Sequence, residues 1–293
     1  MDDLLPTKSR GKYEQQYNVF TQWAKSNKVG KITENVLLAY FAENAKLLKP
    51  STLWSQYSML HATLAIKKDI HINTFSKLIA FLKQKSAGFK PKKSKTLTKS
   101  EVEKFLLNAP DEKYLMTKVA LIIGVCGACR CTELCTMTLG DIQDKGSVII
   151  VTIRTSKTKT QRIFTITDGT TNNISIYHKY VALRPPITPH NRLFVYYKSN
   201  KCTVQPVGIN TFSKLPSLIA EYLQLPEVKL FTGHCFRRTS AKILVNHGNT
   251  LSLKGHGGWR SNSAAEGYVD TLSNKVTVGV RIYQMGTRRE SAL

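Results

Sequence analysis

Residues 83–107 read KQKSAGFKPKKSKTLTKSEVEKFLL, and they cut the chain in two. From Lys83 to Lys99 there are seven lysines and no acidic residue, with Gly88 and Pro91 among them. Such a run has no apolar period and reads as a linker. Directly after it comes Thr98-Lys99-Ser100-Glu101. This is a capping box, in which the threonine side chain accepts from the backbone three residues on and the glutamate reaches back. An apolar helix, Val102 to Leu107, follows. One domain therefore covers residues 1–88, a basic connector covers 89–97, and a second domain opens at 98.

Upstream, four segments keep a helical apolar period. Tyr13, Tyr17, Phe20 and Ala24 mark the first; Leu37, Tyr40, Phe41, Ala45 and Leu48 the second. Leu53, Tyr57, Leu60 and Leu64 mark a third that starts near Ser51. Phe75, Leu78, Ile79 and Leu82 mark a fourth that stops near Gly88. Downstream, a strongly apolar helix covers about 115–125. Ser147–Ile153 and Arg162–Thr167 then read as two strands of a hairpin around the polar stretch Thr155–Gln161. Helices are expected at about 173–183, 209–223, 234–247 and 263–270. The fold class is mainly α with a small antiparallel β-sheet: a helical bundle, then an α+β domain ending near residue 270, then a segment 271–293.

The chain has 293 residues, with 43 Lys plus Arg against 19 Asp plus Glu, a formal net charge of +24. That excess repels itself unless a polyanion screens it, and nucleic acid is the usual one for so basic a protein. Residues on either side of position 100 each carry about half of the excess, so both domains are expected to face the anion. An anionic membrane surface fits less well, because no amphipathic anchor or lipid site is evident. No run approaches the roughly 18 apolar residues that span a bilayer. MDDLLPTKSR has no signal pattern, so an intracellular location is expected, with the six cysteines reduced. Cys126, Cys129, Cys131 and Cys135 fall within ten residues, too crowded for the separated pairs of a zinc site; buried thiols are expected and no metal. The histidines at 61, 71, 178, 190 and 247 show no ligand spacing and read as structural.

Five short features of the second domain lie in a meaningful order. In Ala128-Cys129-Arg130-Cys131-Thr132-Glu133-Leu134, a carboxylate sits one helical turn from an arginine and can orient it. Ser156-Lys157-Thr158-Lys159 places ammonium groups at the hairpin tip. His234-Cys235-Phe236-Arg237 puts an imidazole and a guanidinium at i,i+3. Gly257-Gly258-Trp259 offers an indole N–H, a donor only. Tyr268 follows Trp259 by nine residues. Each alone would be read as packing or solvated surface.

Together they resemble the tyrosine recombinase, or phage-integrase-like, family. The likeness spans residues 98–270, and the N-terminal bundle resembles the family's core-binding domain. It assigns the family's two arginines to Arg130 and Arg237, the acidic partner to Glu133, the hairpin lysine to Lys157 and the histidine to His234. Trp259 takes the family's His-or-Trp position and Tyr268 that of the nucleophile. His256 lies twelve residues before Tyr268 rather than nine, and is kept as a supporting neighbour of the phosphate. Gly258-Trp259-Arg260-Ser261 with Ala265-Glu266-Gly267-Tyr268 is also similar to the recombinases of eukaryotic Crypton-type transposons. Cys129 stands where the family often has a hydrophobic residue, and Arg238 where many members have histidine.

The resemblance implies DNA cleavage and rejoining through a 3′-phosphotyrosine, without metal, cofactor or ATP. Arg130 and Arg237 would bind the phosphate oxygens, His234 would take the phenol proton or donate to the phosphate, and Lys157 would protonate the leaving 5′ oxygen. Lys83, Lys85, Lys90, Lys92, Lys93, Lys95 and Lys159 would lie along DNA phosphates, with 89–97 as a strap closing a clamp. The implied partner is double-stranded DNA. The implied assembly is a homo-tetramer on two DNA sites or a dimer on one site, with 271–293 docking protomers. Lys92-Lys93-Ser94-Lys95 has the look of a nuclear import signal, placing a eukaryotic member in the nucleus. A monomeric type IB-like topoisomerase and a non-enzymatic DNA-binding relative are the alternatives.

Overall fold

A computed structural model describes residues 4–154, 161–246 and 256–258. The chain divides into two compact units, Met1–Lys92 and Lys93–Leu293.

The first unit holds α1 (Arg10–Ser26), α2 (Glu34–Asn44), α3 (Pro50–Lys68) and α4 (Ser76–Ser86). Thr33 caps α2 by accepting from the Val36 N–H, and Pro50 starts α3 where its missing N–H costs nothing. No side chain of its own caps α4; Glu34 Oε1 accepts from the N–H groups of Lys77 and Leu78 at 2.6 and 3.2 Å instead. The core is Phe20, Leu37, Tyr40, Phe41, Leu53, Leu60, Leu64, Ile72, Leu78 and Leu82. Trp23 packs on it, edge-on to Tyr40, a contact that the period Tyr17-Phe20-Ala24 does not pick out.

The second unit runs α5 (Lys99–Asn108), α6 (Asp111–Cys126), α7 (Cys131–Thr136), β1 (Ile142–Asp144), β2 (Val148–Ile153), β3 (Arg162–Thr167), α8 (Asn173–Ala182), β4 (Val195–Lys198), β5 (Lys201–Pro206), α9 (Ile209–Tyr222) and α10 (Cys235–Asn246). The Thr98–Glu101 capping box is formed. Helix α6 is the spine, buried from Tyr114 to Gly124. The hairpin β2–β3 pairs antiparallel with Ile153 opposite Arg162, and β1 adds a third strand that its three residues do not announce. The second hairpin, β4–β5, was not expected either. Its second strand is largely exposed and rich in polar residues, so it shows no alternation. Its turn, Ser199-Asn200, has φ of 48° and 61°, the both-positive pattern that matches the twist of paired strands.

The expected linker 89–97 does not stay a connector throughout. Leu97 is buried and its N–H donates to Thr239 Oγ1 at 3.0 Å; the Lys95 N–H donates to the Leu230 carbonyl at 2.9 Å. Ser94 Oγ accepts from the Thr232 N–H at 3.0 Å. Residues 94–97 therefore belong to the second unit. One apolar residue, Leu97, outweighs the basic composition around it. The lysine Lys95 pairs with Glu227, while Lys83, Lys85, Lys90, Lys92 and Lys93 are exposed.

Candidate active site

Helix α6 ends in a tight turn. Gly127 follows it, Ala128 has φ of 45°, and the Cys129 N–H returns to the Gly124 carbonyl at 2.9 Å. A Cβ on Gly127 would lie 2.3 Å from the Phe164 ring, so the turn can press against β3 only because this residue has no side chain. The turn aims two carbonyl groups, those of Gly127 and Ala128, inward. It also delivers Arg130, in extended backbone, to the start of α7.

Glu133, on the first turn of α7, is 5% exposed. Its Oε1 accepts from Arg130 Nη1 at 2.5 Å, and its Oε2 accepts from the Arg130 backbone N–H at 2.9 Å. The pair expected at i,i+3 is thus formed and largely buried. The same Oε2 accepts from Arg162 Nη2 at 2.6 Å, so one carboxylate holds two guanidinium groups. In the sequence Arg162 reads only as the start of a strand. Along β3 it shares the inward side with Phe164 and Ile166, but no local pattern names its partners.

Arg162 and Arg237 cross the same gap side by side. Arg162 Nη1 donates to the Gly127 carbonyl at 2.6 Å and to that of His256 at 3.1 Å. One residue further along both segments, Arg237 donates from Nη1 to the Ala128 carbonyl at 2.6 Å and from Nη2 to the Gly257 carbonyl at 2.7 Å. The two arginines are rungs between the 127–128 turn and the 256–257 segment. Arg237 is 1% exposed, more deeply set than a side chain reaching freely for a phosphate. His234 lies just ahead of α10, not inside it, and opens onto solvent. The helical i,i+3 spacing therefore does not put the two on one exposed face.

The electrostatics follow from the crowding. Partial desolvation first, then the charges of Arg237, Arg130 and Arg238, lower the pKa of His234. Desolvation, then Arg162 and Arg237, lowers that of His256, whose Nε2 is 2.9 Å from Ser240 Oγ. Both imidazoles are thus biased to the neutral form. Burial pushes the thiol of Cys126 up to about 11 and that of Cys129 up to about 12, so neither supplies a thiolate. Among the described residues, no group of three His, Cys, Asp or Glu is gathered to hold a metal, and no helix is long and apolar enough to cross a membrane. His178 pairs with Asp144 and His71 with Asp69, and His61 stacks on Tyr57.

The structure therefore brings together Arg130, Glu133, His234, Arg237 and His256, and adds Arg162. Lys157, Lys159, Trp259, Tyr268, His247, the helix expected at 263–270 and the segment 271–293 lie outside the described residues. Around Glu133 the arrangement is a cluster of guanidinium groups with one carboxylate, fit to receive an anion.

The model of the phage integrase family matches residues 95–275. Among solved structures, the XerH site-specific recombinase bound to palindromic difH substrate superposes with a TM-score of 0.67 at 16% identity, covering 89% of this chain and 75% of that one. The Tn1549 transposon integrase in complex with circular intermediate DNA gives 0.63 at 19%, covering 91% and 90%. A lambda integrase dimer bound to a COC′ core site gives 0.60 at 15%, covering 95% and 94%. At these identities the likeness is one of fold. No curated protein sequence matches the chain.

Proposed function

The chain belongs to the phage integrase family, and on that premise we propose how its residues divide the work of cutting and rejoining DNA. It is a DNA-cleaving and rejoining enzyme of the tyrosine recombinase type. The observation that supports the assignment of roles is the pair of guanidinium groups, Arg130 and Arg162, on the carboxylate of Glu133, with Arg237 held on the neighbouring Ala128 and Gly257 carbonyls.

A phosphodiester is anionic, and attack on it builds further charge on its non-bridging oxygens. Arg130, held by Glu133, and Arg237 are the donors to those oxygens. Losing one preorganised donor of this kind costs about 10²- to 10³-fold in rate. The Tyr268 oxygen attacks phosphorus, the bond from phosphorus to the 5′ oxygen breaks, and a 3′-phosphotyrosine with a free 5′-hydroxyl results. His234, biased to the neutral form, takes the phenol proton; Lys157 gives one to the departing 5′ oxygen. Trp259 donates its indole N–H to the phosphate, with His256 nearby. Rejoining is the same path reversed, with the 5′-hydroxyl as nucleophile, so the link itself stores the bond energy.

The finer readings rest on sequence. Exposed Lys83, Lys85, Lys90, Lys92 and Lys93, with Lys159, line DNA phosphates, and the net charge of +24 supports a large electrostatic share of the affinity. Four protomers act on two sites, with 271–293 as the docking segment. Gly258-Trp259-Arg260-Ser261 and Ala265-Glu266-Gly267-Tyr268 support a Crypton-type origin, and with it a nuclear location.

The test uses suicide DNA, nicked so that cleavage cannot reverse, and a denaturing gel. Wild type should form a covalent adduct and Tyr268→Phe none. An adduct with the phenylalanine variant refutes the nucleophile, and its absence with wild type on cognate DNA refutes the roles as a whole.

A further inference from the structure

Arg162 belongs to none of the positions that the resemblance assigns, yet its side chain is 4% exposed and bonds to Glu133 and to the Gly127 and His256 carbonyls. Its Nη2 meets Glu133, the residue that orients Arg130. Its Nη1 reaches the Gly127 and His256 carbonyls, one rung from the bonds that Arg237 makes. The fit is close on the far side too. Gly258 has φ of 62°, and a Cβ there would come 2.7 Å from Arg162 Cδ. Residues 256–258 lead directly to Trp259 and, nine residues later, to Tyr268.

We infer that Arg162 is a positioning residue for strand cleavage: it sets Arg130 through Glu133 and registers the 256–258 segment, which leads to Trp259 and the nucleophile, against the end of α6. Only a planar fork can do this, because the three acceptors lie in different directions from one side chain. A lysine at 162 keeps the buried charge but has one nitrogen to share among them. Arg162 sits behind Glu133 and the two carbonyls, so it acts on the rate of the step and leaves DNA affinity to groups at the surface. The inference rests on the reading that Arg130 and Tyr268 perform the cleavage.

The experiment compares wild type, Arg162→Met, Arg162→Lys, Glu133→Gln and the double variant Glu133→Gln with Arg162→Met. Each is tested as the full chain on suicide DNA, with equilibrium Kd and the single-turnover rate at saturating protein. The expected result is a Kd within threefold of wild type and a rate at least tenfold lower for both Arg162 variants. The double variant should be less impaired than the product of the single effects, since Arg162 acts partly through Glu133. A rate within threefold of wild type, a parallel loss of affinity and rate, or fully multiplicative effects would each overturn the inference. If Arg162→Met does not fold, Arg162→Lys decides by the same criteria. Absence of a wild-type adduct would instead sink the functional reading, which separates the two failures.

Discussion

Replacing Glu133 by glutamine should cost the second unit much of its stability, and the amount can be worked from the contacts. The carboxylate is 5% exposed and binds two guanidinium groups, at 2.5 Å to Arg130 and 2.6 Å to Arg162. Removing one member of a buried ion pair costs about 3–5 kcal/mol, mostly because the remaining charge is left uncompensated. Two features reduce that here. The Arg130 side chain is 20% exposed and can take up water when released, and glutamine keeps one carbonyl oxygen as an acceptor. Arg162, at 4% exposed, has no such escape, and it would face either a neutral carbonyl or an amide N–H. The balance is about 2–4 kcal/mol. For a unit of this size each kcal/mol moves the melting temperature by about 2–4 °C, so a fall of about 5–15 °C is expected. Thermal unfolding of the full chain by circular dichroism at pH 7 and low salt reads it directly. A melting temperature within about 2 °C of wild type would show that the carboxylate does not hold the cluster, and the account of the site would fail with it.

The protein should lose stability in mild acid, because His234 and His256 have folded-state pKa values below 6.5. Below that pH the unfolded chain binds protons that the folded chain resists, so stability falls as pH drops from the unfolded value toward the folded one. Melting temperatures between pH 7.5 and 5 should show this decline, and it should shrink in His256→Asn. For the same reason the acid limb of kcat/KM, which reports the free enzyme, should lie below 6.5; a limb above it would contradict a desolvated His234. Gly124→Ala should destabilise by about 1–3 kcal/mol, since its Cβ would lie 2.6 Å from the buried Phe236 ring; chemical denaturation measures it, and a neutral result would mean that α6 and α10 can separate freely. If six to ten phosphates are contacted, affinity for DNA should fall by about 10³- to 10⁵-fold between 50 and 200 mM salt, and a shallow dependence would assign the excess charge to another role.

The elements with a long apolar period are legible in the sequence: all four helices of the first unit, α5 with its capping box, α6, and the β2–β3 hairpin. What escaped was short or set by contacts distant in sequence. Strand β1 is three residues long and is defined only by pairing with β2. Helix α7 is six residues, too few for a period. Residues 94–97 read as linker because their neighbours are lysines, and what docks them is the burial of Leu97 with hydrogen bonds to Leu230, Thr232 and Thr239 that no local pattern encodes. In the site, the Arg130–Glu133 pair was readable because both ends lie one turn apart. Arg162 was not, because its partners lie 29, 35 and 94 residues away. The helical spacing of His234 and Arg237 suggested two side chains on one face, whereas helix α10 begins at Cys235 and buries Arg237.

The choice of acceptors explains how such a cluster can exist without cancelling itself. Like charges about 4 Å apart repel by about 4 kcal/mol at the effective dielectric of a protein near its surface, so guanidinium groups that share one carboxylate need further partners. The simplest partners would be carboxylates, one for each arginine, but they would leave no net charge for a phosphate to meet. Here one carboxylate serves Arg130 and Arg162, and the further acceptors of Arg162 and Arg237 include the carbonyls of Gly127, Ala128, His256 and Gly257. A carbonyl dipole accepts from a charged donor with a net gain of about 1.5–3 kcal/mol and adds no charge of its own. The arginines are therefore held in place while the site keeps its positive potential, and the tight turn at Gly127 and the segment at 256–258 are the backbone devices that supply those dipoles. A phosphate entering beside Arg130 then meets donors already fixed in place, the condition under which charge developing on its oxygens is stabilised without reorganisation.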